Sequence, residues 1–235
     1  KGTGSGNDAY GVSAAQKGGY GSTKTYQATG INIYDKDGAA FTLNGNLDMK
    51  VKGVGVDMRG SEKNAVTIAG GTIFTPDDGE EASYKAVAAT SGTFAMGMND
   101  AKTGSNGKDV VVQGTISLGK KGTVDLGLGS SKSRWTGIAD NKDGHPMNLY
   151  LSDGGMWENR RTSKDQYGLF AGSRVTKVAG GTAPAKAGVI VQKDSNPITI
   201  DHYSGHTILF YDHEASSPAT MIGGDTICLL YTSDA

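Results

Sequence analysis

Three histidines and three carboxylates crowd one stretch near the end of the chain: His202, His206 and His213 with Asp201, Asp212 and Glu214. Imidazole nitrogens and carboxylate oxygens are metal-ligand types, and His-x3-His is a ligand pair on a helix, where i and i+4 share a face. Here Tyr203-Ser204-Gly205 stands between the first two histidines, with β-type residues on either side. Along a strand, residues four apart lie about 13 Å from each other, too far for one ion. Only a turn at Ser204-Gly205 would close that gap, so exposed histidines and no metal are expected. Ser204 beside His206 has no Gly-x-Ser-x-Gly context and is a poor serine nucleophile.

A second set is acidic and basic: Asp77, Asp78, Glu80, Glu81, Glu158, Arg160, Arg161 and Asp165. Polysaccharide-cleaving enzymes gather such groups along one groove. Spread over the sequence they read as solvated turns. Two calcium-like openings fail on their own pattern. Asp35-Lys36-Asp37-Gly38 puts glycine where a spacer belongs and Asn46 where the bidentate glutamate should stand. Gly18-Gly19-Tyr20-Gly21 begins like a calcium-binding nonapeptide, but Thr23 replaces the needed aspartate and no tandem copy follows. Both are expected to be turns. There is no phosphate-binding loop and no dinucleotide fingerprint. No catalytic, cofactor-binding or metal residue is therefore assigned, no cofactor is expected, and the chain is expected not to be an enzyme.

The elements that carry these residues are short and β-type. Of 235 residues 37 are glycine, well above the roughly 7% of average proteins, with only 5 prolines and no Gly-X-Y period. Hydrophobic residues make up 36% and aromatics 7%, lean for one thick core and suited to a thin core repeated many times. The net charge is -1 and the sequence pI about 6.5, which gives no reason to expect a nucleic-acid partner. Runs such as Phe41–Leu43, Leu47–Val51, Val66–Ile68, Val110–Val112, Val124–Leu128, Met147–Leu151 and Ile198–Ile200 are β-type, and many of them alternate apolar and polar residues, the period of a strand with one buried face. Asp-Gly, Asn-Gly and Gly-Gly pairs between them supply turns. Glu80–Ala89 has the most helical composition and is read as a further strand.

An internal repeat sets the architecture. Val124-Asp-Leu-Gly-Leu leads through a polar turn to Trp135, and Met147-Asn-Leu-Tyr-Leu leads through another to Trp157. The indoles are 157 − 135 = 22 residues apart. A period near 20–25 of short strands and glycine turns fits one coil of a β-solenoid, whose strands stack at about 4.8 Å. The fold class expected is all-β, a parallel β-helix of about ten coils, with Trp135 and Trp157 stacked inside or at a corner. Exposed, they would instead be sugar platforms. A sandwich would need hairpins every 8–12 residues and no long-period echo. Residues 1–30 read as a Gly/Ser/Thr-rich edge of the array and 31–227 as its repeats. Residues 228–235, Cys-Leu-Leu-Tyr-Thr-Ser-Asp-Ala, resemble a translated sequencing adapter and are set aside as an artefact; without them the chain has no cysteine. No basic-then-apolar leader opens the chain.

Several motifs resemble one family. Ser130-Ser-Lys-Ser-Arg-Trp-Thr-Gly137 and Asn148-Leu-Tyr-Leu-Ser-Asp-Gly-Gly-Met-Trp157 are similar to the strand, turn and tryptophan units of autotransporter passengers. Gly172–Gly181 and Gln192–His206 look like segments of large autotransporter-like surface proteins of Gram-negative Firmicutes. The resemblance covers about Val110 to Ile227. It implies a right-handed β-helix displayed on the bacterial cell surface, tethered to the outer membrane by its own C-terminal β-barrel lying beyond these residues. It implies an adhesin or stalk whose partners are glycans or proteins of a host or neighbouring cell. The alternative is a carbohydrate-active β-helix enzyme, a polysaccharide lyase or hydrolase.

Overall fold

The computed structural model describes residues 28–76, 84–162, 172–193 and 197–210 in full, and backbone alone at 3–4, 10–14, 211, 219–221 and 226–231. It is all-β, with parallel strands in one nearly closed, barrel-like sheet. Alternation in the sequence becomes alternation in burial. Along Ala40–Val51, Leu43, Gly45, Leu47, Met49 and Val51 face inward, while Asn44, Asn46, Asp48 and Lys50 face out. The runs picked out by alternation all fall within strands. Gly53–Arg59, Arg134–Thr136 and Ser173–Ala179 are strands as well, although glycine, arginine or short length hides their period. In the stretch with helical composition, Lys85–Met96 is a strand; Glu80–Ser83 lie outside the described residues.

The strands form three parallel files, and the chain visits them in turn. The first contains Ala28–Tyr34, Gly53–Arg59, the opening halves of Lys85–Met96 and Thr115–Leu128, and Ala139–Asp140. In the second, Leu43, Ile68, Met96, Leu126, Leu149, Val178 and Tyr203 lie in register, one above the other. In the third the stack is Met49, Ile73, Val112, Trp135, Trp157, Ile190 and Leu209. All members of the last two stacks are buried in a single core. Each buried side chain of this size is worth about 1.5–3 kcal/mol relative to exposure. Among the described residues the antiparallel pairs are three isolated bridges, Met98 with Ser105, Ser152 with Ala187 and Gly181 with His206. Hairpin-paired strands, the mark of a sandwich, do not occur among the described residues.

The step from one register partner to the next is not constant. It is 157 − 135 = 22 residues between the tryptophans, 112 − 73 = 39 between Ile73 and Val112, and 209 − 190 = 19 between Ile190 and Leu209. Extra residues leave the sheet at its corners and return in register, since a longer surface loop costs little more closure entropy.

Polar side chains close the corners. Asn64, 1% exposed, donates from Nδ2 to the carbonyls of Asp35 and Arg59 (3.1 and 2.7 Å), and its Oδ1 accepts from the Ala39 amide at 2.8 Å. Asn159 donates to Gln192 Oε1 at 2.8 Å and accepts from the Ser173 hydroxyl at 2.6 Å, while Ser173 Oγ accepts from the Ala139 amide. Leaving such groups unpaired in the interior would cost about 1–3 kcal/mol each. The backbone of Thr226–Tyr231 lies parallel to His206–Tyr211, so part of the segment read as an adapter product takes a strand. Pairing of this kind follows from its apolar, β-prone residues whatever their origin.

Candidate functional site

Trp135 and Trp157 meet as the repeat requires. They are register partners, both 0% exposed, with ring centroids 5.0 Å apart and planes 6° from parallel. Each indole Nε1 donates to a corner carbonyl: Trp135 to Gly114 at 3.1 Å, Trp157 to Gly137 at 3.0 Å. Being fully covered, they are packing and not sugar platforms.

The described part of the histidine cluster, Asp201 to His206, spans two strands. His202 is exposed, facing out from the second file in register with Lys177. His206 opens the next strand and exchanges backbone bonds with Gly181. Asp201 accepts from Arg174 Nε through both oxygens, at 3.2 and 3.1 Å. Ser204 is exposed on its strand. His213, Asp212 and Glu214 lie outside the described residues, and among those described no three His, Cys, Asp or Glu side chains converge. Asp35 is a turn residue: its Oδ1 accepts from the amides of Asp37 (2.7 Å) and Gly38 (3.0 Å), and Gly38 has φ +108°. Gly18–Gly21 and Thr23 lie outside the described residues.

Of the acidic and basic candidates, the fold joins Glu158 and Arg160, and adds Arg134, which sequence reasoning missed. Glu158 is 5% exposed on the outer side of the third file. Its carboxylate accepts from Arg134 Nη2 and from Arg160 Nε, and Arg134 Nε donates to Thr136 Oγ1 at 3.2 Å. Arg134 sits two register positions from Glu158 on the neighbouring strand, a proximity that only the 22-residue step could have revealed. The group supplies one carboxylate held between two guanidiniums. Glycoside hydrolysis of the usual kind calls for two carboxylates about 5–9.5 Å apart. Asp77, Asp78, Glu80, Glu81 and Asp165 lie outside the described residues.

A second feature is a cleft that the sequence did not announce. The segment after Met96 leaves the second file and leans back across two neighbouring strands. Asn106 Nδ2 donates to the Ala69 carbonyl at 2.8 Å, and Lys108 Nζ to the Asn44 carbonyl at 3.0 Å. Asn99 bonds Thr103 within the segment. Beneath lies a cleft of about 580 Å³ bordered by Asn44, Thr67, Ala69, Met98, Asp100 and Asn106, and beside it, sharing Asn44 and Lys108, a hollow at Asn46 and Asp109.

The far end of the segment is pinned by Tyr150, whose hydroxyl donates to the Lys102 carbonyl at 3.0 Å. Tyr150 is 6% exposed. Burial first, then the charge of Asp125, pushes its phenol above the ordinary value of 10.0. The neutral phenol is the form the fold favours. This contribution is complete below about pH 10 and is lost as pH rises through the raised value. Tyr150→Phe is expected to cost about 1 kcal/mol at neutral pH and to flatten the fall of stability above pH 10. Urea unfolding of both proteins, followed by circular dichroism from pH 7 to 11, measures this; parallel curves for the two would contradict it.

No family model, curated protein or solved structure matches the chain.

Proposed function

We propose that the chain is a stretch of a right-handed parallel β-helix and serves as a surface-displayed passenger segment of a bacterial autotransporter, a non-catalytic adhesin or stalk. The observation that carries this reading is the Trp135–Trp157 pair, in register and stacked one period of 157 − 135 = 22 residues apart. A parallel sheet whose inner face alone is apolar has no helices to cover its other side, and winding around its own core is the way such a sheet buries what it must. Among the described residues nine strands pass through the third file, from 10–14 to 226–231, and would make a rod of roughly 40 Å at about 4.8 Å per pass.

A rod built this way is stiff, needs no disulfide, and can grow outside the cell, since each pass templates the next. The buried polar groups bonded at the corners serve the stack, which suits a stalk. The resemblance of Val110–Ile227 to passenger segments supplies the bacterial surface, the outer-membrane tether, and partners among host or neighbouring-cell glycans or proteins. The competing reading, a carbohydrate-active enzyme, draws on Glu158 between Arg134 and Arg160. The test has two parts. The unbroken gene should continue into amphipathic strands of about ten residues, as an outer-membrane barrel requires. Antibody against this segment should label intact cells; labelling only after lysis would overturn the proposal. Release of reducing or unsaturated sugar ends from polysaccharide by the purified chain, abolished in Glu158→Gln, would establish the enzyme instead.

A further inference from the structure

The cleft under residues 98–109 has the chemistry of a sugar subsite, and we infer that it binds a short neutral oligosaccharide chain. This inference rests on the adhesin reading and gives it a place on the molecule. Asn44 and Asn46 both face outward, on either side of Gly45, where the strand shifts register between Leu43 and Asn46. Both are exposed, and neither amide side chain has a hydrogen bond among the described residues. Each carboxamide offers a donor and an acceptor together, the pattern that matches a hydroxyl able to give and to receive. Thr67 adds a hydroxyl from the next strand, and half-buried Met98 an apolar surface for the C–H side of a ring.

Charge and pairing decide between ligand classes. Lys108 is anchored on the Asn44 carbonyl, and Asp100 and Asp109 border the cleft and the hollow beside it, so the lining has no excess of positive charge to hold an acidic ligand. The floor strands Ala40–Val51 and Ala65–Phe74 are paired with each other, and the latter also with the strands that follow, so a peptide finds no open edge here on which to add as a strand. The volume of about 580 Å³ falls within the range of ordinary small-ligand sites, roughly 300–1,000 Å³, and the hollow at Asn46 lies beside it, with Asn44 and Lys108 in both linings.

The test is titration calorimetry with cellotetraose, maltotetraose and chitotetraose, after a screen on printed neutral and sialylated glycans. At least one neutral tetrasaccharide should bind in the micromolar to millimolar range, and the Asn44→Ala, Asn46→Ala double variant should bind it at least tenfold more weakly. Both positions are exposed, so the variant should keep the unaltered melting curve. A second variant, Lys108→Met, which releases the cleft wall without touching the amide pair, should weaken binding as well. Sugar binding unchanged in both variants would overturn this site while leaving an adhesin standing. Binding of sialylated glycans only, of peptides only, or of nothing up to millimolar concentration would overturn the inference and leave the stalk reading untouched. Failure of intact-cell labelling would strike the surface reading alone.

Discussion

Trp157→Ala should lower the unfolding free energy by about 3–5 kcal/mol, among the largest single side-chain losses available in this chain. Three terms add. The indole is fully buried, so its apolar area goes back to water in the unfolded state only, and removal leaves a cavity between Trp135 below and Ile190 above. The stacked contact at 5.0 Å is lost. The Gly137 carbonyl loses the indole N–H that it accepts at 3.0 Å. Trp157→Phe keeps a ring but not the donor, and should cost less, about 1–3 kcal/mol. The sharper measurement is a double-mutant cycle with Trp135→Phe. Stacked aromatics couple by about 0.5–1.5 kcal/mol beyond area burial, so a coupling near zero would show that the two rings do not act as a stack. Denaturant unfolding followed by far-ultraviolet circular dichroism reads all four proteins without relying on tryptophan emission.

The second large effect lies in the corner those rings lean on. Gly137→Ala should destabilise by about 3–5 kcal/mol, because an added Cβ would sit 2.1 Å from the Gly114 carbonyl oxygen and 2.8 Å from Trp135 Nε1. Neither can yield. The carbonyl is held as the acceptor of Trp135, and the Gly137 amide is itself bonded to the Glu158 carbonyl at 3.0 Å. Two stacked glycines at this corner let neighbouring passes approach as closely as the indoles demand. Gly107→Ala is the matched control. Its φ is +76°, so alanine is strained there, but nothing lies within 4 Å of its Cβ, and the cost should stay near 1 kcal/mol. Thermal unfolding of the two variants side by side separates close approach from backbone strain; equal losses would remove the steric account.

Much of this architecture could be read in one dimension. Leu43, Leu47, Met49 and Val51 are apolar at every second or fourth place, and that alone makes a strand with one inner face. Val124–Leu128 and Met147–Leu151, each followed by a tryptophan, place two passes in register before any coordinate is seen, because a stacked strand must repeat the side chain it covers. The split of His202 and His206 between two strands, with a turn at Gly205, was not legible in this way, because strand spacing treats the two as lying along one strand. What escaped was whatever depends on where corners send their loops. A period of 22 residues predicted a regular array, yet Ile73 and Val112 are partners across 39, and the insertion responsible carries the cleft.

The sequence by itself therefore determined the strand type, the face each side chain takes and the meeting of the two tryptophans, for these follow from a two-residue period and a repeated local pattern. The 22-residue step brings Arg134 near Glu158, but the tertiary structure decided that the carboxylate turns to Arg134 and Arg160 together. It also decided that Lys108 reaches Asn44 across 64 residues. Such contacts form between neighbouring passes, where distance is fixed by the stacking of the backbone and not by separation along the chain.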